Sequence, residues 1–411
     1  MNTANPKRQR KLTQDARSFV RFQVMFSGMS AILTLFVNTF LLSAFGSYSL
    51  QVLLYNIILA AVQPAAMILA IRTTQSKHAL FTQRMGFVFY GAALTALCVF
   101  GAKIAGLYPL FAVMLSFGAG FYYSTYSSQM LCYTRDGNRD LIAGITGLFG
   151  AVISILLPLI SGVLIRRFGT MTGYRLVFGL AALLALGAIL TNLRLPPIPK
   201  HGKEAAFPRV VKTILRSRNG RLVMIANGLS NCRGFTLPIF VTLLFYNLMP
   251  DELLISVNST VGYVVALLGA AVYGTLVHSG SRVRASVFAA VTVLLSALGM
   301  LFGLNITVIM VFNAVNGFFG TFHSTPVLNT HFRVMEDLGL HGEYGAEVHT
   351  VREIFVSLGR VLGLAIVWSV PKTDIGAVIV VLFMTVTALT DAMILRSIER
   401  DMAAREQKTP G

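Results

Sequence analysis

Acidic residues are scarce in this chain, with 16 Asp and Glu against 34 Lys and Arg in 411 residues, and only 12% of positions are charged. A soluble domain carries charge on about a quarter of its residues, so the shortage excludes that class. A nucleic-acid-binding domain is excluded as well. Such domains set their bases as a stripe on an otherwise soluble surface, whereas this chain is 55% hydrophobic with a mean hydropathy of +0.71. Apolarity of that degree also rules out disorder. Cysteine is nearly missing: Cys98, Cys132 and Cys232 all lie inside apolar runs, which suggests neither a disulfide framework nor a zinc site. No cofactor is expected. What is abundant is apolar sequence in long runs, the composition of a polytopic membrane protein.

A helix needs about 20 apolar residues to cross the hydrocarbon core. Runs of that kind fall at 22–45, 49–71, 85–105, 108–134, 141–165 and 176–193, then at 222–247, 253–277, 286–304, 306–330, 350–370 and 374–395. They form two groups of six. Between them, residues 194–221 hold Pro196, Pro197, Pro199 and eight bases. The expected organisation is a basic N-terminal arm (1–21), a six-helix bundle (22–193), a basic link (194–221), a second bundle (222–395) and a tail (396–411). The first twenty residues show no cleavable signal pattern, so the first apolar run is expected to be a retained helix. Lys and Arg concentrate in cytoplasmic loops. With arm, link and tail inside, 27 of the 34 bases fall on the cytoplasmic side. Five fall outside (Lys103, Arg166, Arg167, Arg175 and Lys372), and Arg233 and Arg360 fall within spans. This predicts a multi-pass protein of the cytoplasmic membrane with both termini inside.

The halves repeat at an offset of 200 residues. Ser27-Gly28-Met29-Ser30 is matched by Asn227-Gly228-Leu229-Ser230. Gly120-Phe121-Tyr122-Tyr123-Ser124-Thr125 is matched by Gly320-Thr321-Phe322-His323-Ser324-Thr325, and Gln129 by Asn329. An even number of spans in each half makes the repeats parallel, related by an axis along the membrane normal.

Six plus six spans, a basic central link and parallel halves resemble the major facilitator superfamily of secondary transporters, over essentially the whole chain. The family's loop motif after the second helix of each half runs Gly-x-Leu-x-Asp-x-x-Gly-Arg. Gly274-Thr275-Leu276-Val277-His278-Ser279-Gly280-Ser281-Arg282-Val283-Arg284 keeps its Gly, Leu and Arg, with His278 in place of the Asp. The first-half copy, Leu69 to Lys77, lacks the acid. Pro158-Leu159-Ile160-Ser161-Gly162 is similar to the end of the family's antiporter motif, and Phe168-Gly169 through Gly173-Tyr174-Arg175 to Phe178 is similar to its turn into the sixth helix. The resemblance implies an all-α membrane protein of twelve transmembrane helices in two six-helix repeats. It further implies that Gly274, His278, Arg282 and Arg284 stabilise an inner gate, and that coupling is by protons.

A charge at mid-bilayer costs at least a few kcal/mol and needs a partner, a wet cavity or a function. Arg233 lies about 18 Å into the seventh span and Arg360 about 15 Å into the eleventh, at similar depth. In the family these two helices line the central cavity. A guanidinium fork suits carboxylate or phosphate, which makes both arginines candidates for solute contact. The alternative is structural pairing, with Glu353 or Asp391 as partners, or satisfaction of carbonyls freed around Gly234 and Pro238. Glu353 shares a helix face with Arg360 and is the first candidate for a proton carrier, with His323 the second. A surface pair for Glu353 and a packing role for His323 compete with those readings. The polar-aromatic fourth span offers Tyr122, Tyr126 and Gln129 as solute contacts, against a packing role beside Gly118 and Gly120. Asn38, Gln63 and Asn227 are further mid-span polar candidates. His341, Glu343, Glu347 and His349 have metal-binding chemistry but no recognised spacing, so no metal site is expected.

The expected function is a secondary active transporter of a small organic solute, possessing no enzymatic constellation and acting as a monomer in the bilayer by proton-coupled alternating access. An organic anion is favoured by the arginines. Proton-antiport efflux of amphipathic compounds is favoured by the aromatic span and the antiporter-like ending. A non-transporting sensor or membrane-embedded enzyme is the remaining alternative.

Overall fold

The computed structural model describes residues 14–46, 50–74, 79–133, 139–198, 206–340, 344–370 and 373–406, and among these it is helical throughout, without strands. Six long helices come first: α1 (Gln14–Phe45), α2 (Leu50–Thr74), α3 (Ala79–Phe100), α4 (Tyr108–Tyr133), α5 (Arg139–Phe168) and α6 (Thr170–Asn192). A short helix, α7 (Phe207–Arg216), precedes α8 (Arg218–Leu248). The chain continues through α9 (Glu252–Leu276), α10 (Arg282–Leu298), α11 (Ile306–Asp337), α12 (Gly345–Ser369) and α13 (Asp374–Glu406). Each of the twelve apolar runs read from the sequence is thus a long helix in the expected order.

The helices are turned inside out relative to a soluble bundle. On α5, Leu148, Val152, Leu156, Ile160 and Val163 are all exposed and recur every three or four residues, forming one apolar stripe. Water would not tolerate that stripe; hydrocarbon does. Of these thirteen α-helices among the described residues, α1 to α6, α8 to α11 and α13 are long and apolar enough to cross a membrane. The twelfth long helix, α12, has the length but carries Glu347, Arg352, Glu353 and Arg360. It spans as a polar helix whose charges must be satisfied from within.

Helix length and apolar run part company at several ends. The α1 helix starts at Gln14, so residues 14–21 of the expected arm are helical, with Ala16, Phe19 and Val20 buried. The α13 helix continues through the expected tail to Glu406, burying Ile398 and Met402 in an apolar cluster with Val223, Met224, Val334 and Val351. The expected link contains α7 and the first residues of α8, where Ser217 caps α8 by accepting from the Gly220 amide at 3.2 Å. An apolar run measures what faces lipid. A helix persists as long as one of its faces finds protein.

Two compact units emerge from the packing: Met1–Gly46, Val62–Ala205 and Asp251–Thr260 form one, and Ser47–Ala61, Ala206–Pro250 and Val261–Gly411 the other. In the first unit α4 approaches α2 closely. A methyl group at Gly120 would lie 2.6 Å from the Ala66 Cβ and 2.9 Å from the Gln63 carbonyl. In the second unit α8 and α12 meet backbone to backbone. A methyl at Gly228 would lie 2.9 Å from the Phe355 carbonyl, and one at Gly359 would collide with the Gly228 carbonyl itself. Small residues that admit such approach are how helices associate where lipid offers no hydrophobic drive.

Candidate functional site

Inside the second unit, α8, α11, α12 and α13 carry the ionisable groups. Arg233, midway along α8, is 7% exposed. Its guanidinium donates to Asn316 Oδ1 on α11 at 2.5 Å, while its Nε has no partner. Asp391 on α13 and His323 on α11 lie within its electrostatic reach, both buried. Asp391 Oδ1 and both ring nitrogens of His323 are buried without hydrogen-bond partners. Four helix-borne polar groups therefore share one interior region with donor and acceptor capacity to spare. An unmade hydrogen bond of that kind costs about 1–3 kcal/mol, more for a charged group. The cost is recovered when a solute or water supplies the missing partner.

Arg360 is placed differently. It donates to Glu353 Oε1 at 2.8 Å, seven residues back on the same helix, and its guanidinium carbon lies 5.1 Å from the centre of the Phe235 ring. This ion pair is mostly buried, with the Glu353 side chain 6% exposed and that of Arg360 17%. One residue before Glu353, Arg352 donates to Asn227 Oδ1 at 2.6 Å, and the Asn227 amide donates to the Val223 carbonyl at 2.7 Å. His349 and Arg352 both lie within electrostatic reach of Glu353. Asn227 and Glu353 thus belong to a polar seam along the α8–α12 contact, and the two arginines expected to act together have separate partners.

The first unit holds its polar groups as amides and phenols. Gln129 of α4 and Gln83 of α3 exchange two hydrogen bonds, at 2.6 and 2.9 Å. Asn192 of α6 donates to Gln83 Oε1 at 2.5 Å, and Arg84 Nε donates to Asn192 Oδ1 at 2.8 Å. Gln129 is fully buried in this lattice. Tyr122, 2% exposed, donates its hydroxyl to Gln23 Oε1 and stacks on Phe26 with ring centres 3.5 Å apart. Phe87 and Tyr123 pack edge-on to both rings and Tyr90 edge-on to Phe26, and Tyr123 and Tyr126 are half-exposed. Asn38 is buried, donating to the Thr34 carbonyl of its own helix at 3.1 Å, and Gln63 is buried where α2 meets Gly120.

Gly274, in the last turn of α9, and His278, in the loop after it, are exposed. Ser281 Oγ accepts from the His278 amide at 3.0 Å and donates to the His278 carbonyl at 3.1 Å, fixing the turn into α10. The acid missing from this loop has a counterpart on α13, where Glu399 lies within electrostatic reach of Arg282 and Arg333. Arg284 is exposed. Lys77, Arg135, His341, Glu343 and Lys372 lie outside the described residues, as do residues 1–13 of the arm. Among the described residues no group of three or more His, Cys, Asp or Glu is placed to hold a metal ion.

Sequence reading did not single out Asn316, Gln83 or Asn192. The signal was available for Asn316, which lies 200 residues after Ser116, in the same repeated span as His323. Gln83 and Asn192 were hidden by their places at the ends of apolar runs.

No family model matches the chain. It is 26% identical over 162 residues to the uncharacterized protein YqgE of Bacillus subtilis, a match spanning 39% of this chain and 37% of that one. Among solved structures it superposes on a bacterial homologue of the iron transporter ferroportin in an inward-facing state, with a TM-score of 0.67, covering 95% of this chain and 99% of that one at 13% identity. At that identity the likeness speaks for the fold alone.

Proposed function

We propose that this protein is a secondary active transporter that moves a small organic anion across the cytoplasmic membrane by alternating access, coupled to protons. The observation that carries the reading is the buried Arg233 guanidinium with an unused Nε, held by Asn316 beside His323 and Asp391. A carboxylate or phosphate would complete its hydrogen bonding. The structural neighbour is named for iron. A fixed guanidinium repels a divalent cation, so the region around Arg233 favours an anion. Arg360 would assist from α12 when its pairing with Glu353 is relieved by protonation of that carboxyl, which makes Glu353 the first proton carrier and His323 the second. The concentration of Lys and Arg in arm, link and tail supports a cytoplasmic position for both termini.

The test is uptake of a panel of organic anions into proteoliposomes, with and without a pH gradient. Arg233→Ala should abolish uptake of the transported solute, while Arg233→Lys should retain part of it. Unchanged uptake by Arg233→Ala would falsify the anion site. Uptake indifferent to the pH gradient removes the coupling assignment. Impermeant labelling of single cysteines introduced in arm and link tests the orientation; modification from outside intact cells reverses it.

A second reading, efflux of amphipathic compounds, is favoured by the half-exposed rings of Tyr123 and Tyr126 on α4. It predicts that Tyr126→Ala impairs transport of a lipophilic cation more than Arg233→Ala does.

A further inference from the structure

The short helix α7 has no role in the solute site, yet its two faces are sharply divided. Val210 and Ile214, one turn apart, are fully buried, and Phe207 and Val211 pack beside them against Met224, Val334, Met335 and Val351. The opposite face carries Arg209, Lys212 and Arg216, all exposed. Their spacing of three and four residues aligns them on one side at about 3.6 residues per turn. No acid lies on this helix. Just beyond, Arg221 is exposed and donates to the Leu215 carbonyl at 2.7 Å, while Arg218 is paired with Asp401. Leu215, 40% exposed, is the large apolar side chain left uncovered beside the bases.

The anchoring of α7 fixes which way its bases point. Because α8 starts one residue after α7 ends and crosses the membrane, α7 sits at the level where that span enters the bilayer. On the orientation put forward above, this is the cytoplasmic leaflet, where anionic lipid is attracted by juxtamembrane bases. A row of three unopposed cations flanked by an exposed leucine matches a surface that is anionic at the headgroup and apolar beneath.

We propose that α7 is a docking site for anionic phospholipid headgroups, with Arg209, Lys212 and Arg216 contacting phosphates and Leu215 entering the acyl boundary. The site is separate from the solute region and exists whether or not a solute is bound.

The experiment uses the full chain purified in a zwitterionic detergent and titrated with phosphatidylglycerol or phosphatidylcholine, reading bound lipid by native mass spectrometry and stability by thermal unfolding. Phosphatidylglycerol should bind and stabilise where phosphatidylcholine does not. Each base near the surface contributes about 1 kcal/mol, so the triple variant Arg209→Gln/Lys212→Gln/Arg216→Gln should weaken phosphatidylglycerol binding roughly a hundredfold. Arg209→Lys/Arg216→Lys should retain the preference, which separates loss of charge from loss of fold. Arg166→Gln/Arg167→Gln, exposed bases elsewhere, should also retain it. Equal binding of the two lipids, full preference in the triple variant, or equal loss in the Arg166/Arg167 control would each overturn the proposal. So would protection by inorganic phosphate at matched concentration, which would mark a soluble-anion site instead.

Discussion

The two halves of this molecule descend through similar helices but fill their interiors with different chemistry. In the first, the buried polar groups are neutral: Gln23, Gln83, Gln129, Asn192 and Tyr122, bonded to one another and packed against rings. The second adds charged or ionisable ones: Arg233, His323, Glu353, Arg360 and Asp391, of which Arg233, His323 and Asp391 have unused hydrogen-bonding capacity. The positions 200 residues earlier than Arg233, Glu353, Arg360 and Asp391 are Leu33, Ile153, Ile160 and Thr191. Only four of the 16 acids, Asp15, Asp136, Asp140 and Glu204, precede residue 206. The lesson is a division of labour. A neutral, largely bonded amide lattice holds shape at low electrostatic cost, while the charged region leaves more of its donors and acceptors unused.

The sharpest way to break that contrast is Arg233→Ala. Removing one member of a buried charged group leaves the others uncompensated, at a cost of about 3–5 kcal/mol. Apparent thermal stability should fall and transport should vanish, and Arg233→Ala/Asp391→Asn should recover stability without transport. If the double variant transports, the charged half is scaffolding. Next in size is Glu353→Gln, which removes the negative charge paired with Arg360. A loss of about 2–4 kcal/mol is expected, together with loss of the pH dependence of uptake. Uptake that keeps its wild-type pH profile would move the coupling role away from Glu353.

The first half should respond in stability alone. Gln129→Leu leaves Gln83 short of a partner and should cost about 1–3 kcal/mol in thermal unfolding, with KM for the solute nearly unchanged. A tenfold rise in KM would make the amide lattice part of the binding surface. Smallest is Tyr126→Phe, which keeps the ring and removes a half-exposed hydroxyl, with an expected change within about 0.5 kcal/mol. A large effect there would favour the amphipathic-efflux reading.

Much of this architecture was written in the sequence. Twelve apolar runs and a shortage of charge mark twelve long helices, because lipid demands uniform apolarity over about 20 residues. Arg233 and Arg360 stand out for the same reason, as exceptions to that demand. What the sequence hid depends on distant pairs. Gln83 meets Gln129 across 46 residues and Asn192 across 109, and no local pattern announces such meetings. Helix ends past the apolar runs were hidden as well. At Phe19 and Met402 a helix continues because protein covers one face, which is a tertiary fact. The separate partners of the two arginines were also invisible, since equal depth says nothing about the direction in which a long side chain turns.

The backbone contact between α8 and α12 has a mechanical consequence. With Gly228 against Phe355 and Gly359, and Gly363 against Cys232 and Thr236, the two backbones are in close contact at two levels. Neither helix can roll or slide past the other without driving a carbonyl into a Cα. The pair therefore behaves as a stiff double beam. Any tilt that carries Arg233 also carries Glu353 and Arg360, so the buried guanidinium of α8 and the ion pair of α12 move in fixed register.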